Sequence, residues 1–285
     1  MRQLVDSFQS PLFRRAVLEA VLIGALAGAV GVHVVLRRLP FFVVAMSHAT
    51  FPGVAIASVL GVSLFLGGTT FGLLVVAAVL LLGTSAVLDS GSVIGVVLGG
   101  SFALGVLVVS ATPGSSRDLS AFLVGSVLTV TPADIATTIV VGVVVLLVLG
   151  GLHKELVLGA FDRRGAAALG YRAGALDAVV LAAVTVTMVA SIPSVGTLLA
   201  VALLTVPALT ARLWVERVVP MMVLAATIGA VSGLVGFCAA AVWSIAAGAS
   251  IALTTGVCFL ASLALTTAAA RWRHHSALTT APAAV

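Results

Sequence analysis

Long, uninterrupted apolar runs dominate this sequence and leave very few folds open to it. Runs long enough to cross a bilayer as helices cover roughly 16–36, 41–66, 69–88, 92–111, 132–152, 174–192, 194–213, 219–243 and 249–270. A bilayer core accepts about 20 apolar residues in one helix, whereas a strand of a membrane barrel needs about ten residues of alternating polarity. The runs are longer than such strands and uniformly apolar. They predict an all-α integral membrane protein, a polytopic helical bundle of eight to ten spans.

The composition agrees with this prediction and excludes a water-soluble protein. Only 8% of the 285 residues are charged, whereas soluble domains carry about 25%. The net charge of +5 comes from residues between the apolar runs, so it indicates membrane topology and not a nucleic-acid partner. We predict an N-terminal segment over 1–15, a transmembrane domain over 16–271 and a polar, disordered tail over 272–285.

One polar stretch, "HKELVLGAFDRRGAAALGYRAG" from His153 to Gly174, interrupts the apolar pattern and is called the basic loop below. Its basic residues form the densest such cluster between spans: Lys154, Arg163, Arg164 and Arg172. The positive-inside bias places this loop in the cytosol. Within it, Asp162 is expected to cap a short helix through the alanines 166–168, and Gly170 to close that helix.

The segment 119–130 leaves two topologies open, because it is short for a span. If it crosses, the chain begins in the cytosol and nearly all Arg and Lys lie inside, except Arg37 and Arg38. If it is re-entrant, those two move inside, and the residues that then go outside are Arg14, Arg15, Arg271 and Arg273. The charge count favours the first alternative and the length of the segment favours the second.

The stretch "AMSHATFPGVAIA", Ala45 to Ala57, places an ionisable residue and a proline inside a span. An ionisable side chain at this depth is costly and usually faces the bundle interior, and imidazole is a good ligand for divalent transition metals. His48 is therefore a candidate metal ligand; the alternative is a histidine bonded to a backbone carbonyl that Pro52 leaves free. Pro52 and Gly53 predict a broken helix of the kind that lines a cavity, and Pro207 a matching break, with plain packing kinks as the alternative.

Four stretches together resemble the permease subunit of the metal-ion ABC importers that carry zinc, manganese or iron(II) into bacteria. In chain order they are "VVLRRLPFFVVAMSHATFPGVAIA", the glycine-rich span from Gly91 to Ser110, "FDRRGAAALGYRAG", and the helix from Ser194 to Leu213. The order and spacing match from about Arg14 to Leu265.

The resemblance implies an ABC importer permease fold with a cytosolic coupling helix, in the bacterial cytoplasmic membrane. It further implies a cytosolic ATP-binding subunit, an extracytoplasmic metal-binding protein and a second permease, either an identical copy or a sister chain. The sequence holds no G-x-x-x-x-G-K-[ST] motif, so we expect ATP only on the partner, no enzyme activity in this chain and no permanently bound cofactor. The divalent metal ion is the cargo.

The resemblance also assigns site residues. His48 belongs to the metal pathway, and members of the family often carry an aspartate one helical turn before it, where this chain has Val44. Without that carboxylate, we expect the permease site either to be weaker or to be completed by the second subunit's His48 or by neighbours of His48, namely Met46, Ser47 and Thr50. The residues that couple the permease to the ATPase are Asp162, Ala166 and Gly170.

Three other functions are weighed against this one. A permease for iron–siderophore or cobalamin uptake has the same outline but different loop signatures. A gradient-driven carrier commonly uses buried carboxylates, whereas Glu19 and Asp177 lie near span ends here and are expected to reach the interface, as is His33. An intramembrane enzyme needs supporting partners for its nucleophile or metal, and His48 stands without them.

Overall fold

The computed structural model describes residues 10–84, 89–111, 130–243 and 245–279, and every regular element within these ranges is a helix. The helices are α1 Pro11–Leu36, α2 Pro40–Ala49, α3 Phe51–Leu60, α4 Leu64–Leu82, α5 Ser90–Ser110, α6 Pro132–Gly151, α7 His153–Phe161, α8 Arg163–Ala168, α9 Ala173–Arg212, α10 Val218–Trp243 and α11 Ala247–Thr279. With α2 and α3 taken together, 8 of them are long and apolar enough to cross a membrane. The predicted helical bundle is confirmed.

The C-terminal helix departs from the predicted boundary of the tail. Helix α11 runs to Thr279, so residues 272–279 are helical where a disordered tail was predicted. Alanine, leucine and arginine, which are strong helix formers, dominate "LALTTAAARWR" and carry the helix past the apolar run. The last residues of the predicted tail, 280–285, lie outside the described ranges.

Helices α1 and α10 pack backbone to backbone. A Cβ built on Gly24, Gly28, Gly229 or Gly233 would come closer than 3 Å to a backbone carbonyl of the opposite helix. The contacting pairs are Ala20 with Gly233, Gly24 with Gly229, and Gly28 with Ala225. Small residues four apart on both helices permit this approach, which is how membrane helices gain van der Waals contact without a hydrophobic driving force.

Helix α9 is two helical arms joined at a sharp break. Gly196 has φ 78° and ψ 167°, which is not a helical conformation and which glycine adopts readily because it has no Cβ. Pro193, which lies three residues earlier, also disfavours a continuous helix. Three contacts show the direction of the arms relative to α1: Arg37 with Asp177, Glu19 with Ser194, and Gly31 with Leu204. The first arm therefore runs antiparallel to α1 and the second parallel to it, so the chain reverses where the sequence separates the runs 174–192 and 194–213.

The arrangement of the helices decides between the two topologies. Arg37, at the end of α1, contacts the basic loop through the carbonyl of Leu156, so the two share one end of the bundle. Helix α6 runs parallel to α1, since Thr138 contacts Glu19 and Gly142 faces Leu26. Helix α6 thus begins at the opposite end.

Helix α5 also finishes at the end where α6 begins. It runs parallel to α2 and α3, because Phe102 meets the ring of His48 and Gly105 meets Phe51. The ends of α5 and α6 agree with the re-entrant alternative, although 119–129 lie outside the described residues. The preference from charge counting was wrong: Arg37, which it left outside, lies at the basic-loop end, and it counted Arg271 as lying outside in the re-entrant alternative. Arg271 does not move outside, because α11 begins beside the end of α10, where Gly236 meets Ile251, and packs along α10 back toward the basic-loop end.

Candidate metal pathway and coupling loop

The span that holds His48 is interrupted at Thr50. Helix α2 ends at Ala49 and α3 begins at Phe51, with Pro52 in the first turn of α3. Proline has no N–H to continue the α2 ladder, so the chain restarts with bonds from the amides of Gly53 and Val54 to the carbonyl of Thr50. The break predicted from Pro52 and Gly53 is present.

His48 lies on the last turn of α2 and is only partly buried. Its ring meets the edge of Phe102 on α5 at 6.0 Å between centroids, with 83° between the ring planes. No residue in the described ranges hydrogen-bonds to the imidazole, so the alternative of a histidine tied to a freed carbonyl finds no support there. Val44, one turn earlier on the same face, is 41% exposed.

The three neighbours of His48 point elsewhere. Met46, Ser47 and Thr50 are buried, and Thr50 and Met46 face Gly72 of α4. The hydroxyl of Ser47 donates to the carbonyl of Val44 at 2.7 Å, and that of Thr50 to the carbonyl of Met46 at 3.0 Å. Residues one or two apart on a helix lie on different faces, so the structure does not bring these side chains together with the imidazole.

The residues predicted at helix breaks have packing contacts in this chain. Gly53 is buried so close to Gly67 of α4 that a side chain on it would collide with the backbone. Pro207 is buried within the second arm of α9, which continues as a helix to Arg212. The predicted break at Pro207 was wrong: contacts with Gly31 of α1 hold this arm, and the break in the second half of the chain is at Gly196.

The basic loop folds as predicted from its capping residues, with one helix more. A carboxylate oxygen of Asp162 accepts a hydrogen bond from the amide of Gly165 at 2.8 Å and caps α8. Gly170 has φ 86°; its amide bonds to Ala167 and that of Tyr171 to Ala166, each at 3.0 Å. This pair of bonds is a Schellman motif, which ends a helix firmly. Sequence reasoning missed α7, although "HKELVLGAF" contains no proline and only one glycine, Gly159.

The surface of α8 is divided between a buried anchor and exposed apolar residues. Ala166 is fully buried against the rest of the chain. Phe161 and Leu169, which flank the helix, are 65% and 70% exposed, and Tyr171 is 40% exposed. A short helix held at both ends thus presents apolar side chains at the basic-loop end, where a partner can bind them.

Two of the three ionisable residues expected at the membrane interface are buried in the bundle. Glu19 is fully buried, and one of its oxygens accepts hydrogen bonds from the hydroxyls of Thr138 at 2.6 Å and Ser194 at 3.2 Å. His33 is 1% exposed. Asp177 forms ion pairs with Arg37 and Arg163. The expectation that Glu19 and His33 reach the interface was wrong, because each is covered by helices that are distant in sequence. Asp177 is 23% exposed and lies at the basic-loop end, near the interface.

Comparisons with known proteins find likeness along nearly the whole chain. The model of the ABC 3 transport family matches residues 9–266. The manganese import system permease protein ScaB of Streptococcus gordonii is 36% identical over 249 residues, 87% of this chain and 89% of that protein. The zinc transport system membrane protein TroC of Treponema pallidum is 34% identical over 83% of this chain and 82% of its own length. The solved structure of PsaBC from Streptococcus pneumoniae in complex with Fab has a TM-score of 0.80 and 34% identity, and covers 92% of this chain and 94% of that one.

Proposed function

Since the chain belongs to the ABC 3 transport family and is a transmembrane permease of the metal-ion ABC importer type, we propose that it conducts manganese or zinc ions into the bacterial cytosol when a separate ATP-binding subunit drives it. The observation that supports this proposal most strongly is that α8 is capped at both ends and flanked by exposed apolar residues at the basic-loop end.

Helix α8 is suited to receive a push from an ATPase. Its Asp162 cap and its Gly170 closure fix both ends, so a displacement is passed on and not absorbed by fraying. Ala166 anchors the inner face on the permease, while Phe161 and Leu169 supply the apolar contact for the partner. The cytosolic ATP-binding subunit is the proposed occupant of this surface.

The ion path follows the face of α2 that carries Val44 and His48. Both side chains are partly open in the single chain, and the apolar surface around Phe102 is exposed with them. A second permease, identical or sister, would cover this face and bring a second imidazole to the first. The pathway then has its ligands at an interface between two chains, and Met46, Ser47 and Thr50 support the turn from behind.

The choice between manganese and zinc depends on the ligands at this turn. Manganese prefers carboxylate oxygen, whereas zinc accepts imidazole readily. The relatives named for manganese transport favour the first ion, and Val44, which has no oxygen ligand, favours the second. We propose that an extracytoplasmic binding protein delivers the metal, and that the site at His48 passes it on without holding it tightly.

Reconstitution in vesicles tests the proposal. The permease is inserted with its ATP-binding subunit, and the metal-binding protein is added on the opposite side. We expect manganese or zinc to accumulate only when ATP is present on the side of α8. Concentrative uptake by the permease alone under a proton or sodium gradient would overturn the proposal in favour of a secondary carrier, and uptake of a metal chelate but of no free ion would overturn the choice of cargo.

A further inference from the structure

One carboxylate joins the basic loop to two membrane helices. Asp177 lies near the start of α9. Its Oδ1 pairs with Arg37, which caps the end of α1, and its Oδ2 pairs with Arg163, the first residue of α8, at 2.7 Å. Asp177 is therefore the point where α1, α8 and α9 meet.

The Arg37 side of this junction is firmly held. The side chain of Arg37 is 8% exposed, and its second Nη atom donates to the backbone carbonyl of Leu156 in α7 at 3.2 Å. Helix α7 comes so near that a Cβ on Gly159 would lie 3.6 Å from Arg37. A charge that is buried and bonded in this way cannot leave its partner without a large penalty, so Arg37 and Asp177 move as one body.

The Arg163 side is loosely held. The side chain of Arg163 is 67% exposed, and an exposed ion pair contributes little net stability because water and salt screen it. This bond can break and form again at small cost. The junction thus combines a fixed pair within the membrane domain with a releasable bond to the coupling helix.

A chain of contacts leads from the junction to the turn that carries His48. The first arm of α9 extends from Asp177 past Thr185, whose methyl group faces Gly72 of α4. Met46 and Thr50 of α2 face the same glycine. A shift of α9 along its axis therefore presses on the packed side of α2, directly behind the imidazole.

We infer that Asp177 is a positioning residue that passes the movement of α8 to α1 and α9, with Arg163 as its releasable contact. This inference rests on the proposed function, because it assumes that an ATPase moves α8. In one ATPase-bound state Arg163 holds Asp177 and the arm of α9 follows α8; in the other the bond opens and α8 moves alone. The ratio of metal moved to ATP hydrolysed depends on this bond.

The experiment measures that ratio in vesicles containing the permease and its ATP-binding subunit, with the binding protein present. Arg163→Gln removes the exposed bond and leaves the buried pair intact. We expect it to retain ATPase binding and ATP hydrolysis but to lower the metal transported per ATP by about threefold or more, and Arg163→Lys to restore the ratio. The matched control is Arg217→Gln, an exposed arginine at the same end that forms no ion pair with any residue the structure describes.

The outcomes separate the inference from the proposed function. If the parent protein shows no ATP-dependent uptake, the proposed function fails. If the parent transports metal and Arg163→Gln has an unchanged ratio, only the inference fails. Loss of ATPase binding in Arg163→Gln would also overturn the inference, because Arg163 would then be a docking contact. Asp177→Asn would leave the buried charge of Arg37 without its carboxylate partner and is expected to lower the folding yield. The test therefore uses variants of Arg163 and not of Asp177.

Discussion

Gly24 and Gly229 bring the backbones of α1 and α10 into direct contact, and a side chain on either one would collide with a carbonyl of the other helix. We expect Gly24→Ala to force the helices apart and to destabilise the fold by about 1–3 kcal/mol. The melting temperature of the purified protein in detergent should fall by several degrees. Gly256→Ala is the matched control, because a Cβ on Gly256 of α11 meets nothing within 4 Å; a similar fall in this variant would contradict the packing argument.

Glu19 tests whether hydrogen bonding or charge matters at the break in α9. One of its carboxylate oxygens accepts hydrogen bonds from the hydroxyls of Thr138 and Ser194, and the other is buried without a partner among the described residues. Glu19→Gln keeps an acceptor oxygen for Thr138 and Ser194 and is expected to melt near the parent temperature. Glu19→Ala leaves both hydroxyls without this acceptor and should lower the free energy of unfolding by about 1–3 kcal/mol. Equal destabilisation in the two variants would show that the negative charge itself is required.

Local features of the basic loop were predictable from the sequence, and its long-range contacts were not. The cap at Asp162 and the closure at Gly170 depend on residues a few positions away, so the pattern of residue types was sufficient. Arg37 and Asp177 are 140 residues apart, and nothing in either neighbourhood indicates the other. For the same reason Glu19 was expected at an interface, because its partner Thr138 is 119 residues distant.

At the candidate pathway, the helical periodicity of the sequence already separates the neighbours of His48 from its own face of the helix, and the prediction of the metal ligands did not take this into account. Met46 and Thr50 are four residues apart, as are Val44 and His48, so helical periodicity alone places the two pairs on different faces. The reversal of α9 is a different case. Pro193 marks a boundary between two apolar runs, but the direction of the second arm depends on its packing against Gly31 of α1, which no local pattern contains.

The cap of α8 gives a third prediction. Asp162→Ala removes the acceptor for the amide of Gly165 and should cost about 1 kcal/mol of helix stability. A frayed α8 presents Phe161 and Leu169 poorly, so the affinity for the ATP-binding subunit should fall severalfold in a pull-down titration. Asp162→Asn retains a capping oxygen and is expected to bind as the parent does. Normal binding by Asp162→Ala would show that the ATPase does not depend on an ordered α8.

The last prediction concerns Val44 and His48, which share one face of α2. His48→Ala should lower metal uptake and leave the association with the ATPase unchanged, since the imidazole lies on α2 and not in the basic loop. Val44→Asp adds an oxygen ligand one turn from His48, and because hard oxygen favours manganese over zinc, it should raise the ratio of manganese to zinc uptake. Val44→Asn, of similar size but uncharged, separates the effect of the carboxylate from that of polarity. If His48→Ala transports both metals normally at every concentration, or Val44→Asp leaves the ratio unchanged, the ion does not pass along this face and the path must be sought elsewhere in the bundle.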